Sequence, residues 1–388
     1  MSVRAAVVHG PGRFSVESFP EPDPAPGAVV LRMAYSGICG TDKHTWRGET
    51  VQYAGTEHER DAPYPLICGH ENVGTIAAIG PGEPPRDENG RPFAVGDRVV
   101  PAPNVSCGRC RFCLGDYPYF LCTGLEDYGN SLSCAQAPHL FGGWAELMYL
   151  LPGTRMFRVP DELPDEVAAL TEILAVTHSL DTARLLAPAG GGLRFGDTVL
   201  VVGAGPLGLL HLAKAELLGA GRLMAIDVLP ERLEAARAFG ADLLLDASAT
   251  TAEERLARVR DATGGHGADV VVVTSGRPET FPEALELARP GGTVIEAGAF
   301  VDLGPVPVDP NRHVCAKSLT IFGIGGEVLT HYGPSLRMLA RHRDRLPFDA
   351  LITDRVPLDD VGDALDRAQT GAATKILVAP QRGDGRAP

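Results

Sequence analysis

The feature that most constrains the fold is a buried apolar run that leads directly into a glycine-rich turn. Residues 199–202 read Val-Leu-Val-Val, and Gly203, Gly205 and Gly208 follow in the spacing G-x-G-x-x-G. The first glycine permits a tight turn, the second lets the backbone approach a pyrophosphate, and the third lets the next helix pack on the strand. This pattern predicts a dinucleotide site with the phosphates at a helix start. The residues predicted to form it are Gly203, Gly205, Pro206, Leu207 and Gly208.

An acidic residue stands where such a site needs one. Asp227 closes the next apolar run, roughly 20 positions after the turn, where a carboxylate accepts hydrogen bonds from both ribose hydroxyls. It would repel a 2′-phosphate, so we expect NAD rather than NADP. Arg232 follows, and it either flanks the adenosine or is a solvated helix residue.

The surrounding sequence predicts a parallel sheet. Between about 171 and 320, apolar runs alternate with stretches such as Pro230–Phe239, rich in Ala, Leu, Glu and Arg, which indicates βαβ units. A helix is predicted over Leu209–Leu218. Residues 1–170 instead hold short apolar runs broken by Pro and Gly, which is typical of β-rich structure. The predicted strands are 198–202, 223–226, 243–245, 270–273, 293–295 and 376–379.

Composition excludes several classes of protein. Forty-nine acidic residues against 35 basic ones give a net charge of −14, which argues against a nucleic-acid groove. No window reaches about 20 uncharged apolar residues, so we expect no membrane span. No opening segment resembles a signal peptide, and eight cysteines in such a chain favour a reducing, cytoplasmic setting in which clustered thiols hold metal.

Four cysteines fall within sixteen residues. Cys107, Cys110 and Cys113 are spaced C-x-x-C-x-x-C, and Cys122 follows after eight residues. Four thiolates at this spacing predict a closed, structural zinc site. Buried free thiols and an iron–sulfur cluster are the alternatives, and both are less favoured.

A second set of metal-binding residues lies in two separate turns. Cys39 is followed by Gly-Thr-Asp-Lys-His, and His70 and Glu71 end the segment Pro-Leu-Ile-Cys-Gly-His-Glu. A thiolate, an imidazole and a carboxylate suit a zinc ion with a position left open for substrate. Spacing alone leaves open that Cys39 is a buried thiol and His70 a loop histidine.

The order of these segments resembles the medium-chain, zinc-dependent alcohol dehydrogenases, and the polyol and threonine dehydrogenase branch most closely. The resemblance runs along nearly the whole chain. It implies an α/β fold in which a doubly wound Rossmann domain at 171–320 is inserted into a β-rich, GroES-like catalytic domain. That domain would comprise 1–170, with a zinc lobe at about 104–125, and 321–388. The active site would lie in the cleft between the domains, and homodimers or homotetramers are expected.

The resemblance also implies roles for individual residues around a catalytic zinc. Cys39 and His70 match its ligands, and Glu71 matches a neighbouring carboxylate that binds the metal or exchanges with water. Glu172 matches the position that supplies Cys in other branches and Glu in the polyol branch.

A proton path is implied next to this metal. Thr41 matches the hydroxyl that contacts the substrate oxygen, and His44 matches the distal end of the relay. Asp42 matches a carboxylate that orients the His70 ring. Cys68, Cys134 and Cys315 have no assigned role.

The expected activity is an NAD-dependent interconversion of a small alcohol, secondary or polyol-like, and its ketone or aldehyde, with one catalytic and one structural zinc. The alternatives are an aldehyde dismutase that retains NAD, a zinc-free quinone or enoyl reductase, and a non-catalytic protein that binds zinc and NAD. The intact metal sets disfavour the last two.

Overall fold

The computed structural model describes residues 2–57, 59–115, 117–186, 191–371 and 373–381. Its backbone divides into two compact units, each with its own sheet and apolar core. The first unit consists of Met1–Glu172, Val328–Asp344 and Phe348–Pro388. The second consists of Ile173–Glu327 and Arg345–Pro347.

The first unit is rich in β-strands, which pair antiparallel except for the last two along the chain. They are β1 (Ser2–Gly10), β2 (Arg13–Pro20), β3 (Val29–Gly37), β4 (Glu71–Ile79), β5 (Arg98–Pro101), β6 (Asn104–Val105), β7 (Glu126–Asp127), β8 (Leu147–Leu150), β9 (Met156–Arg158), β16 (Ile352–Val356) and β17 (Lys375–Val378). A seven-stranded sheet has the order β16-β17-β3-β4-β5-β9, with β8 also pairing β3. Strands β6 and β7 pair with each other and close the base of the cysteine-rich segment.

Short helices connect these strands. The α-helices of this unit are α1 (Gly40–Arg47), α2 (Arg111–Leu114), α3 (Asp165–Ala168), α4 (Thr171–Ala175, which continues into the second unit), α10 (Tyr332–His342), α11 (Phe348–Leu351) and α12 (Val361–Thr370). Single 3₁₀ turns occur at Tyr119–Leu121, Leu329–His331 and Leu358–Asp360.

Strand pairing brings the residues of the second predicted metal site together at one end of two neighbouring strands, β3 and β4. In the register of β3 and β4, Gly37 lies opposite Glu71, and Leu377 of β17 also lies opposite Gly37. Cys39 follows the end of β3 and His70 precedes the start of β4. Residues 31 positions apart in sequence are therefore neighbours in space because antiparallel strands join their ends.

The second unit is a parallel sheet of six strands. They are β10 (Thr198–Val202), β11 (Arg222–Asp227), β12 (Leu243–Asp246), β13 (Ala268–Val273), β14 (Ala288–Glu296) and β15 (Thr320–Gly323). Their order is β12-β11-β10-β13-β14-β15, and each neighbouring pair is parallel. The direction of winding reverses between β10 and β13, so the predicted doubly wound sheet is confirmed.

Helices connect the parallel strands. They are α5 (His178–Leu185), α6 (Pro206–Leu217), α7 (Pro230–Ala238), α8 (Ala252–Ala262) and α9 (Thr280–Leu287), with a π-helix at Pro310–Cys315. Helix α6 begins three residues before the predicted Leu209 because Pro206, with its fixed φ, is suited to the first helical position. Within the described ranges, no helix is both long and apolar enough to cross a bilayer.

Candidate functional site

The glycine turn of the second unit has the shape that a dinucleotide needs. Gly203 has φ 103°, in the left-handed region that favours glycine. A Cβ on Gly208 would lie 2.0 Å from the Gly203 carbonyl oxygen, so the helix packs on the strand only with glycine there. A Cβ on Gly205 would meet nothing within 4 Å, which leaves open space beside the backbone. The turn therefore fits a pyrophosphate at the start of α6.

Asp227 is held against this turn by backbone amides. It is the last residue of β11 and is 6% exposed. Its Oδ2 accepts the Ala204 N–H at 2.7 Å, and its Oδ1 accepts the Leu229 N–H at 3.0 Å. Arg232 Nη1 lies 3.8 Å from Oδ2, while Arg232 Nε is buried with no hydrogen-bond partner in the described part of the chain. The carboxylate is thus fixed in place beside the phosphate turn.

The four clustered cysteines converge in the first unit. The Sγ atoms of Cys107, Cys110, Cys113 and Cys122 all lie within 4.8 Å of one another. Zinc–sulfur bonds of about 2.3 Å in a tetrahedron place sulfurs about 3.8 Å apart, so the donors fit one zinc ion. The Sγ atoms of Cys110 and Cys113 are already 3.5 Å apart.

Backbone amides and burial change the pKa values of two of these thiols in opposite directions. The N–H groups of Cys113 and Thr123 lower the pKa of the Cys110 thiol to about 5. Burial raises the pKa of Cys122 to about 12, although it accepts the N–H groups of Cys107 and Gly124. Four thiolates so close together repel one another unless a positive ion lies between them. The donor set is therefore suited to structural zinc.

A second cluster lies where β3 ends and β4 begins. His70 is 6% exposed, and its ring is hydrogen-bonded to the Cys39 side chain. Burial acts to lower the pKa of His70. The charge and hydrogen bond of the Cys39 side chain and the charges of Asp42 and Glu172 together outweigh this effect, and the pKa of His70 lies well above its ordinary value. This buried pocket favours positive charge, which a metal ion bound by Cys39, His70 and Glu172 would supply.

Asp42 connects the two turns that carry these residues. Its Oδ2 accepts the Cys39 N–H at 2.8 Å, and its Oδ1 accepts the Gly69 N–H at 3.4 Å. Oδ1 also lies 4.0 Å from His70 Nδ1, a buried atom with no hydrogen-bond partner among the described residues. Because the other ring nitrogen faces Cys39, Asp42 is in position to orient the imidazole.

Glu71 follows His70 in the sequence, but its carboxylate contacts a buried lysine. Its two oxygens accept hydrogen bonds from Lys375 Nζ at 2.7 and 2.6 Å, and Lys375 also donates to the Ile38 carbonyl. Both partners of this ion pair are almost fully buried. With its oxygens engaged by Lys375, Glu71 is a weaker candidate for a zinc ligand than Glu172.

The predicted proton-relay residues lie on α1. Thr41 is 8% exposed. His44 Nδ1 lies 2.7 Å from Glu49 Oε2 and 2.8 Å from Arg47 Nη2. Arg47 donates to Glu49 as well, so all three groups meet. If Nδ1–H donates to Glu49, the other ring nitrogen is left as a proton acceptor.

Sequence reasoning did not find Lys375 or Glu49. Lys375 lies 304 residues from Glu71, and a lysine before an apolar strand carries no local sign of a buried partner. Glu49 lies in a polar loop where a solvated carboxylate is the ordinary expectation. Of the unassigned cysteines, Cys68 and Cys134 are buried and Cys315 is exposed.

Comparison with known proteins gives the same picture for both units. Residues 25–161 match the family model described as alcohol dehydrogenase GroES-like domain, and residues 206–339 match zinc-binding dehydrogenase. The chain is 34% identical to 5-exo-hydroxycamphor dehydrogenase of Pseudomonas putida, over 97% of this chain and 98% of that protein.

Two further proteins are similar over nearly their whole length. Erythritol/L-threitol dehydrogenase of Mycolicibacterium smegmatis is 30% identical, over 97% of this chain and 98% of that protein. The crystal structure of an alcohol dehydrogenase from Thermotoga maritima is 30% identical with a TM-score of 0.88, over 98% of this chain and 100% of that one. On this evidence the chain belongs to the zinc-dependent, medium-chain alcohol dehydrogenase family, whose members are oxidoreductases acting on CH–OH groups.

Proposed function

We propose that this dehydrogenase interconverts a small secondary alcohol or polyol and its carbonyl compound, with zinc in the cluster around His70 and NAD at the glycine turn. The observation that carries the proposal is the contact between the Cys39 side chain and the buried His70 imidazole where β3 ends and β4 begins, with the charge of Glu172 acting on the same ring. The relatives named for hydroxycamphor and for erythritol and threitol support this substrate class, because each name denotes a compound that contains a secondary alcohol.

Zinc in this cluster would act as a Lewis acid on the substrate oxygen. The ligands are proposed to be Cys39, His70 and Glu172, with Asp42 holding the two turns together. Thr41, on the first turn of α1, is proposed to contact the substrate hydroxyl and pass its proton on. His44 would receive that proton on Nε2, because its Nδ1 faces Glu49.

The nicotinamide would accept the hydride, and the second unit would hold it. Gly205 leaves room for the pyrophosphate, Gly203 permits the turn, and Gly208 lets α6 pack on β10 so that its N-terminal amides would face the phosphates. Asp227 is proposed to bind the adenosine ribose hydroxyls and to exclude a 2′-phosphate.

Removal of a metal ligand tests the proposal. A Cys39→Ala variant should lose at least about a thousandfold in kcat/KM in a panel of secondary alcohols and polyols followed by NADH absorbance, equivalent to about 4 kcal/mol of transition-state stabilisation. Its affinity for NAD should stay within about twofold of the unmodified protein's, and its zinc content should fall from two ions per chain to one.

The matched control is Cys315→Ala, which removes an exposed cysteine of the second unit and should change none of these values. Substantial turnover by the Cys39→Ala protein after metal removal would contradict the proposal. Turnover without added NAD would instead favour an aldehyde dismutase that retains its cofactor.

We further propose a homodimer or homotetramer that works in the cytoplasm. All eight cysteines are free thiols, which suits a reducing compartment. Light scattering on the purified full chain measures the oligomeric mass directly. A monomer at micromolar concentration would contradict the proposed homodimer or homotetramer.

A further inference from the structure

We propose that Glu296 places a negative charge beside the nicotinamide end of the bound cofactor and thereby favours its oxidised, cationic form. The inference rests on the proposed function, in which the second unit binds a nicotinamide dinucleotide. It concerns one side chain that the metal chemistry and the glycine turn do not use.

Strand order determines which residues lie near each half of the cofactor. The pyrophosphate belongs at the turn after β10, and Asp227 at the end of β11 receives the adenosine ribose. The sheet continues on the other side of β10 as β13 and then β14. The nicotinamide half therefore extends over the carboxyl ends of β13 and β14, and Glu296 is the last residue of β14.

Close backbone approaches connect this strand end to the glycine turn. A Cβ on Gly298 would lie 2.2 Å from the Ser275 carbonyl oxygen, so the loop after β14 packs directly on the loop after β13. A Cβ on Gly203 would in turn lie 2.9 Å from the Ser275 nitrogen. Thr274 also donates its hydroxyl to the Gly203 carbonyl at 2.6 Å. The three loops form one continuous surface, with Glu296 at the end away from Asp227.

The charge of Glu296 exceeds what its local structure requires. Oε1 accepts the N–H groups of Gly298 at 2.8 Å and Ala299 at 3.0 Å. A glutamine side chain has the same length and offers an equivalent carbonyl oxygen for both bonds. The turn therefore needs an acceptor but not an ionised one, and the negative charge requires another explanation.

Electrostatics supply that explanation. Burial raises the pKa of Glu296, because water solvates its ionised form poorly at this site. A positive charge nearby compensates for the lost solvation, and attraction between charges is strong where water is excluded. The oxidised nicotinamide ring carries a positive charge and the reduced ring is neutral. Glu296 thus distinguishes the two redox states of one ligand.

The experiment compares the two forms of the cofactor on a Glu296→Gln variant. We expect the Kd of NAD⁺, measured by calorimetry, to rise about tenfold, which is about 1.4 kcal/mol, while the Kd of NADH, measured by fluorescence, stays within about twofold. The control is Asp246→Asn, which removes a carboxylate from the end of β12. That strand is four positions away in the same sheet, or roughly 19 Å, so both Kd values should respond equally if at all.

Equal weakening of NAD⁺ and NADH by Glu296→Gln, or no change in either, would overturn the inference and leave the proposed function standing. Failure of the unmodified chain to bind either form would overturn both. Should the glutamine variant not fold, Glu296→Thr, which keeps a strand-forming residue without charge, is measured in the same way and is subject to the same outcomes.

Discussion

At the scale of single residues, cofactor choice depends on Asp227. Its carboxylate is held by the amides of Ala204 and Leu229, so its position does not depend on bound ligand. An Asp227→Asn variant keeps the size and loses the charge that repels a 2′-phosphate. We expect the ratio of kcat/KM for NAD to that for NADP to fall at least about tenfold, or about 1.4 kcal/mol.

The comparison is made with both cofactors and one alcohol under identical conditions. Asp242→Asn provides the control. Asp242 precedes the neighbouring strand β12 and lies at the opposite ends of the parallel strands from Asp227, and it also accepts a backbone N–H, that of Leu223. An unmodified enzyme that used NADP as well as NAD would show that Asp227 does not select the cofactor.

A second residue-scale prediction concerns His211 on α6. It is fully buried, with Nδ1–H donating to the Leu207 carbonyl at 2.8 Å and Nε2 accepting from Ser179 at 2.9 Å. Burial lowers its pKa to about 4 from an ordinary 6.5. Between those values the unfolded chain binds one more proton than the folded chain, so stability falls as the pH drops from 6.5 towards 4.

The expected loss from this residue between pH 7 and pH 5 is about 2 kcal/mol of unfolding free energy. Urea unfolding at the two pH values measures it, with His211→Leu as the variant that cannot titrate. The leucine variant should be less sensitive to acid by that amount. Identical pH dependence of both proteins would show that His211 is not the responsible group.

At the scale of secondary-structure elements, the buried pair of Glu71 and Lys375 connects β4 with β17. Replacing Lys375 by Met leaves the Glu71 carboxylate buried without its partner, which typically costs about 3–5 kcal/mol. We expect a loss of this size in urea unfolding of the metal-free protein.

The double variant Lys375→Met, Glu71→Gln removes both charges and should recover most of the loss, since an uncharged pair needs no counter-ion. If the double variant were as unstable as the single one, packing rather than charge would explain the effect.

A second prediction at this scale concerns the stability of the cysteine-rich lobe, residues 104–125. Its apolar core is small, comprising Tyr119, Cys122 and Leu125, so we expect the metal to supply most of its stability. A Cys113→Ser variant should lose one zinc per chain and become sensitive to limited proteolysis within residues 104–125. Metal analysis and peptide mapping test this, with Cys315→Ser as the control. A protease-resistant lobe without its zinc would contradict the prediction.

At the scale of the whole molecule, local patterns predicted the fold well. Five of the six parallel strands, β10 to β14, contain the apolar runs that predict them, whereas β15 is not predicted. The glycine spacing marks the dinucleotide turn without reference to distant residues. The family and the two-part α/β architecture inferred from the sequence are confirmed. The individual site residues and the domain boundaries near 170 and 320 stay predictions.

What the sequence did not predict depends on the order of strands in the sheet and on the geometry of turns. The pairing of Lys375 with Glu71 arises because β17 and β4 both neighbour β3, a fact of sheet order that no local pattern encodes. The contact of Glu49 with His44 depends on how the chain turns after α1, and the turn signals there do not specify which side chains meet. Helix α6 begins before the expected Leu209 because the glycine turn leads directly into Pro206, whose fixed φ suits the first helical position.

The hydrogen bonds of Asp42 to the backbone amides of Cys39 and Gly69 have a consequence for the loss and rebinding of the metal ion. Since one carboxylate keeps the two halves of the binding pocket in register, a chelator should be able to strip the ion and leave the pocket's shape behind. Added zinc would then bind again to this pocket directly, and the polypeptide around it would not need to refold.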